Sequence, residues 1–330
     1  MTSTSIPLEF PGFFDLQVNG FAGVDFNNPQ TNAEQIQRAI VVMRTTGVTR
    51  LLPTLITSSW ETFACCARTL AGIKDPAIAG IHMEGPYIAA VDGPRGAHPR
   101  QHVIGASLDD FKRRQEACGG RIVLVTLAPE VAGARELIEH LASAGIRVAL
   151  GHTAATAEQI RDAIRAGATL STHLGNGCAR ELPRHPNFIW EQLAADELSA
   201  SFIVDGHHLP PATVKAMIRA KTALRSVLVT DAVAAAGCPP GRYVFGDMTV
   251  ELTAEGRVSE PGKPWLAGSA LTLDQAVANT VKFTGLPLET VLAMASTQPA
   301  AFMGMSTSGR VSAEWNPADH QLRILQTSDQ

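Results

Sequence analysis

RVALGHTAATAEQIRDAIRAGATLSTHL, residues 147–174, is the stretch on which the fold turns. A short apolar run, Val148 to Leu150, stops at Gly151-His152. An amphipathic segment, TAEQIRDAIRAG, follows with apolar residues at helical spacing and closes on Gly167, as a helix C-cap does. A second apolar run, ATLSTHL, then ends at His173. Strand, helix and strand in so short a span make one βαβ unit, in which the two strands run parallel and the helix covers one face.

The same alternation extends in both directions. Upstream lie GFFDLQVNG (12–20), VTRLLPTLIT (48–57), AIAGIHMEG (77–85) and RIVLVTLAPE (121–130); downstream lie SASFIVDG (199–206) and SVLVTDAV (226–233). Helical patterns such as AEQIQRAIVVMRTTG and ARELIEHLASAG separate them. Many of these strands are apolar on both faces, which suits a parallel sheet buried on both sides. Eight units are the number that closes a TIM-type (β/α)8 barrel. The rival, an open doubly wound sheet, normally shows G-x-G-x-x-G after its first strand, and the Asn19-Gly20 turn does not match it. The α/β barrel is therefore the expected fold. It spans residues 12–305 after a short lead-in (1–11), with a β-excursion at about 240–265 where RYVFGDMTVELTAEGRVSEPGKPWLAGS alternates, and a tail at 306–330.

Bulk properties exclude several classes. The chain has 330 residues, 45% of them hydrophobic, and a formal net charge of −4. No basic stripe points to nucleic acid, and no long apolar run points to a membrane span. The start, MTSTSIPLEFPGFF, lacks the pattern of a signal peptide. The five cysteines, Cys65, Cys66, Cys118, Cys178 and Cys238, have no CxxC spacing and read as reduced thiols of a cytoplasmic protein.

The polar residues carry the chemistry. Asp15, Gln17 and Asn19 lie on the first strand, Glu84 ends the third, His152 the fifth, His173 the sixth and Asp231 the eighth. Barrel enzymes place their chemistry at this carboxyl end. One carboxylate and two imidazoles facing an open position make a workable divalent-metal site, with Asp231 as a fourth group suited to proton transfer. Singly, each residue has a structural reading: a packed strand-end histidine, a Glu84–Arg95 ion pair, an Asp231 helix cap. Their conjunction at one end of different strands favours a metal-assisted hydrolase.

At these residues the chain resembles the N-acetylglucosamine-6-phosphate deacetylase family of the amidohydrolase superfamily, from about Pro11 to Gly304. PGFFDLQVNGFAGVDFN, LPTLITS, IHMEGPY, GAHP, TLAPE, GHTAAT, THL, DGHH, LVTDA and LAGSALTLDQAV stand in the family's order. The resemblance implies hydrolysis of the acetamide of an N-acetylhexosamine 6-phosphate. It makes Glu84, His152 and His173 the ligands of one divalent metal ion, Zn2+ by first expectation, with Fe2+, Mn2+ or Co2+ also suited to an N/O site. Gln17 and Asn19 stand where many amidohydrolases have His-x-His, which implies a mononuclear site that Gln17 reaches through a water. Asp231 becomes general base and then acid, and His98 polarises the acetyl carbonyl. Ala97, Asn176, Gly177, Asp205, Gly206, His208, Leu266, Ala267 and Gly268 match substrate-contacting positions, with His207 a neighbour without a role. Arg184 matches a phosphate-binding arginine that reaches into the neighbouring subunit's site, which implies a homodimer.

Three departures from the family stand out. The segment before the barrel that forms part of a small β-sandwich is short here, and the C-terminal strands that complete it look truncated, so that domain is expected to be reduced or absent. After the metal histidine the chain reads HLGNGCARELPRHPN, in which Gly175, Gly177 and Cys178 replace bulkier residues and Arg180, Arg184 and His185 offer anion contacts. The alternative substrates are therefore N-acetylgalactosamine 6-phosphate, an unphosphorylated acetamido sugar or another N-acyl compound. A catalytically silent sugar-phosphate sensor is the reading from another class.

Overall fold

A computed structural model describes residues 5–246, 248–263 and 265–328. The strands in chain order are β1 (Ile6–Pro11), β2 (Phe13–Val18), β3 (Gly20–Phe21), β4 (Val24–Asp25), β5 (Val48–Ile56), β6 (Ile81–Glu84), β7 (Ile122–Leu127) and β8 (Arg147–Leu150). They continue with β9 (Leu170–Ser171), β10 (Ser199–Phe202), β11 (Ser226–Leu228), β12 (Gly241–Phe245), β13 (Met248–Leu252), β14 (Val258–Ser259), β15 (Arg310–Asn316) and β16 (Gln321–Ser328).

The barrel is one eight-stranded sheet in the order β11-β10-β9-β8-β7-β6-β5-β2, and all its pairings are parallel. It closes between its first and last strands through a parallel bridge from Val18 to Ala232. At the same seam Asn19 N donates to Ala232 O at 2.7 Å and Asp231 N donates to Gln17 O at 2.9 Å. Every strand expected from the apolar runs is present. Leu16, Leu52, Leu124 and Phe202 belong with many others to one buried apolar core, and the polar groups gather at the barrel mouth.

The unit that opened the reading shows how local sequence sets the geometry. The helix Ala157–Ala166 starts at Thr156 with a capping box shared with Gln159 and ends at Gly167, whose φ of 119° lies in the left-handed region. Its buried face, Ile160, Ala163 and Ala166, packs on the core. The chain is thus returned to start β9 beside β8 with His173 at the same end as His152.

Residues 6–11, expected as a lead-in, form a strand instead. β1 pairs antiparallel with β15, Ile6 opposite Trp315, and β15 pairs with β16. The reason is remote: a six-residue strand beginning the chain has its partner near the other end of the sequence. Between β11 and the helix Leu273–Thr284, strands β12–β14 make an antiparallel sheet whose own small core joins Phe245, Val250, Leu252 and Val258 to Val233.

Candidate active site

Glu84, last residue of β6, is buried at the barrel mouth. Its Oε1 lies 3.2 Å from His152 Nε2 and 3.1 Å from His173 Nε2, and the two imidazole nitrogens are 3.2 Å apart. Gln17, expected to reach a metal through a water, donates directly from Nε2 to the same Glu84 oxygen at 2.9 Å. His98 lies beside them, its Nε2 3.9 Å from Glu84 Oε2. Its Nδ1 is 2.8 Å from Thr57 Oγ1.

These donors fit a metal ion. Three ligand atoms bound at about 2.1 Å in near-tetrahedral geometry stand roughly 3.0–3.5 Å from one another, and those of Glu84, His152 and His173 do. Glu84, His98 and His152 also form a cluster whose ligand atoms lie within 4.8 Å of one another. Among the described residues His173 Nδ1 has no hydrogen-bond partner, whereas His152 Nδ1 is oriented by Pro94 O at 3.0 Å. Carbonyl contact on the far nitrogen is the usual way to aim an imidazole at a metal. Glycine makes room here: a methyl on Gly177, at φ 54°, would sit 2.8 Å from His152 Nδ1.

Electrostatics bind the cluster further. Burial alone would raise the Glu84 carboxyl, but hydrogen bonds from His152 and His173 hold it well below its ordinary value. Burial works against a charged His173, yet Glu84 raises its pKa. Burial, followed by the neighbouring His152, pushes His98 down to about 3, so its ring is neutral. The Thr57 hydroxyl, within hydrogen-bond distance of Nδ1, orients that neutral ring. Under Glu84, His82 lies between Thr54 and Thr126, and Thr126 meets Thr172 at 2.7 Å, a polar layer that ties the ligand-bearing strands together.

Asp231 faces the cluster from the end of β11. Its Oδ1 accepts a hydrogen bond from Asn19 Nδ2 at 2.7 Å. The backbone marks the same residues: His152, His173 and Asp231 hold φ values of 51°, 28° and 49°. Such values are strained for residues with a side chain and collect at functional sites. Asp15, on the same first strand, is engaged elsewhere; its carboxylate accepts from Thr230 Oγ1 at 2.6 Å.

A cavity of about 620 Å³ opens above these groups. Ala97, Asn176, Gly177, Gly206, His208, Leu266 and Gly268 line it. Asp205 stands behind the wall and holds His208, its Oδ2 2.6 Å from His208 Nδ1. Ala267 lines an adjoining chamber, and Arg184 is exposed and lines neither. The Glu84–Arg95 pairing is not formed; Arg95 pairs with Asp92 at 2.5 Å. Arg257, Trp265 and Phe245 also line the cavity. They come from the β12–β14 region, where no chemical motif marks them.

A barrel carrying a carboxylate–imidazole cluster at its mouth is the form of an amidohydrolase, and the amidohydrolase family model matches residues 9–317. N-acetylglucosamine-6-phosphate deacetylase of Lysinibacillus sphaericus is 31% identical over 326 residues, covering 96% of this chain and 83% of that protein. N-acetylgalactosamine-6-phosphate deacetylase of Shewanella sp. is 33% identical over 321 residues, covering 95% and 80%. The crystal structure of N-acetyl-D-glucosamine-6-phosphate deacetylase from Mycobacterium smegmatis superposes with a TM-score of 0.89 at 30% identity, covering 98% of this chain and 86% of that one. The chain belongs to the N-acetylglucosamine-6-phosphate deacetylase family of amidohydrolases.

Proposed function

We propose that the protein hydrolyses the acetamide of an N-acetylhexosamine 6-phosphate, most directly N-acetylglucosamine 6-phosphate, to the amino sugar phosphate and acetate. The observation that carries this reading is the convergence of Glu84, His152 and His173 within 3.2 Å of one another, beside Asp231. A divalent cation held by those three residues, zinc being the choice their N/O donors favour, would lower the pKa of a water towards about 7 and draw electrons from the acetyl carbonyl.

The chain's own groups do the rest. Asp231 takes the water's proton as its oxygen bonds to the carbonyl carbon, and Asn19 keeps the carboxylate oriented. The Nε2–H of His98 donates to the oxyanion that forms. Asp231 then returns the proton to the sugar nitrogen as the C–N bond breaks, so the leaving group departs as a neutral amine. The sugar would rest against Ala97, Asn176, Gly177, Gly206, His208, Leu266 and Gly268, with Asp205 fixing His208 from behind.

The names of the Shewanella and Escherichia coli O157:H7 relatives support N-acetylgalactosamine 6-phosphate as the second substrate to try. Among the described residues no helix is long and apolar enough to cross a membrane. We place the protein in the cytoplasm as a homodimer. Arg184, exposed and away from its own chain's cavity, would serve the neighbouring copy. The test is amine release from N-acetylglucosamine 6-phosphate by zinc-loaded protein. Release that a chelator abolishes and added zinc restores is expected. Absence of release from both hexosamine phosphates with metal bound would refute the reading.

A further inference from the structure

We infer that His82, Thr126 and Thr172 are positioning residues that hold Glu84, His152 and His173 in place for a cation; this rests on the metal-assisted deacetylase reading. Barrel interiors are ordinarily filled by branched apolar side chains. Here Thr54, His82, Thr126 and Thr172 are all buried. His82 stands two residues before Glu84 on β6, so both side chains leave the strand on the same face. Its Nε2 meets Thr126 Oγ1 at 2.7 Å, Thr126 Oγ1 meets Thr172 Oγ1 at 2.7 Å, and its Nδ1 meets Thr54 Oγ1 at 3.3 Å. Burying a polar group costs free energy unless it is hydrogen-bonded. Apolar groups of the same shape would fill this space without that cost. The hydroxyls and the imidazole are therefore explained by what they hold.

What they hold is the backbone that carries the ligands. Thr172 directly precedes His173, and its N donates to the O of Leu150, two residues before His152, at 2.8 Å. Gly85, directly after Glu84, donates from its N to Thr126 O at 3.0 Å. The layer thus touches the segments of all three ligands. His173 depends on it most. Its Nδ1 has no hydrogen-bond partner among the described residues, so no group there grips the far side of its ring. Its direction is set instead through its backbone, held at φ 28° with N donating to Ser201 Oγ at 2.8 Å. Glycine makes the threonine contact possible. A methyl on Gly151 would sit 2.8 Å from Thr126 Cγ2 and 2.9 Å from Thr172 Cβ. The residue before His152 must be this small for the two threonines to meet across the end of β8.

The experiment reads metal binding directly. Full-length metal-free wild type is titrated with Co2+, with Kd measured against a competing chelator and site geometry followed by the visible absorption of the bound ion. His82→Leu, Thr126→Val, Thr126→Ser and, remote from the site, Trp315→Ala are treated alike. Removing a partner that orients a ligand typically weakens metal binding by about 10–100-fold. We expect that loss, with an altered Co2+ spectrum, in His82→Leu and Thr126→Val. Thr126→Ser keeps the hydroxyl and should return both readings towards wild type. Trp315→Ala should lower the denaturant midpoint and leave Co2+ affinity and spectrum unchanged. Where His82→Leu does not fold, the two substitutions at Thr126 carry the test. Unchanged Co2+ affinity and spectrum in Thr126→Val, equal losses in Thr126→Val and Thr126→Ser, or a matching loss in Trp315→Ala would each overturn the positioning role. A wild type that binds no Co2+ would overturn it together with the deacetylase reading. A wild type that binds Co2+, with variants behaving as expected, yet releases no amine from either hexosamine phosphate would sink the deacetylase reading alone.

Discussion

Asp231 is a carboxylate under opposing pressures. In the metal-free protein burial, and after it the charge of Glu84, push it up to about 6, while His173 and the Asn19 amide pull it down. A bound cation offsets the charge of Glu84 and shifts the midpoint lower. Only the ionised form can accept a proton, so activity falls as pH drops through that midpoint. We expect the acid limb of kcat/KM at or below pH about 6, removed along with a hundred- to ten-thousand-fold of kcat in Asp231→Asn. Metal content should be unchanged in that variant; a variant retaining a tenth of wild-type kcat would rule Asp231 out as the base. The identity of these side chains was legible because each ends an apolar strand. The positive φ of His152, His173 and Asp231 was not, because it is imposed by contacts across the barrel mouth. Thr57, whose hydroxyl meets His98 Nδ1, looks in sequence like an ordinary end to LPTLIT.

Short helices show what tertiary contacts add to local patterns. The helix Phe188–Ala194 follows the loop that carries Arg180, and both its ends are secured by side chains. Asn187 Oδ1 accepts from Ile189 N at 3.1 Å and Trp190 N at 3.2 Å. At the other end Lys221 Nζ donates to Gln192 O at 2.7 Å and Ala195 O at 2.5 Å. Lys221 is 1% exposed, and burial, then the charge of Arg225, lowers its pKa to about 8. Lys221→Met strands two carbonyls and should cost about 1–3 kcal/mol. The folded protein loses this proton at lower pH than the unfolded chain, so between about 8 and 10.5 the lysine makes stability rise with pH. Denaturant midpoints across that range should show a shallower rise in the variant; parallel curves would count against the buried ammonium. No local signal separates Lys221 from a solvated helix-end lysine, because its acceptors are carbonyls of another helix. The barrel strands were easier, being apolar on both faces and spaced by glycine-closed helices. Even there ATLSTHL is hydrogen-bonded as a strand only at Leu170–Ser171, shortly before the chain bends at His173.

At the scale of the molecule, the sheet β1-β15-β16 joins segments from the two ends of the described chain. Val311, Ala313, Trp315 and Leu322 are buried there and belong to the main core. Truncating the ring in Trp315→Ala should cost about 3–5 kcal/mol, read as a lowered denaturant midpoint; a loss below about 1 kcal/mol would show that the sheet is dispensable to the core. The barrel was legible from its repeating units. This sheet was not, since no local pattern in IPLEFP names a partner at Arg310–Asn316. Barrel closure has the same long reach, because β2 meets the end of β11 only through the Val18–Ala232 seam. On a ribosome adding about 5–20 residues per second, the span from Val18 to Ala232 takes roughly 10–40 s to make. Until it ends, β2, which carries Phe13, Phe14 and Leu16, lacks the strand end that completes the ring. Ring closure is therefore a late event in the making of the chain, and the β1-β15-β16 sheet, which needs Arg310–Asn316, is later still.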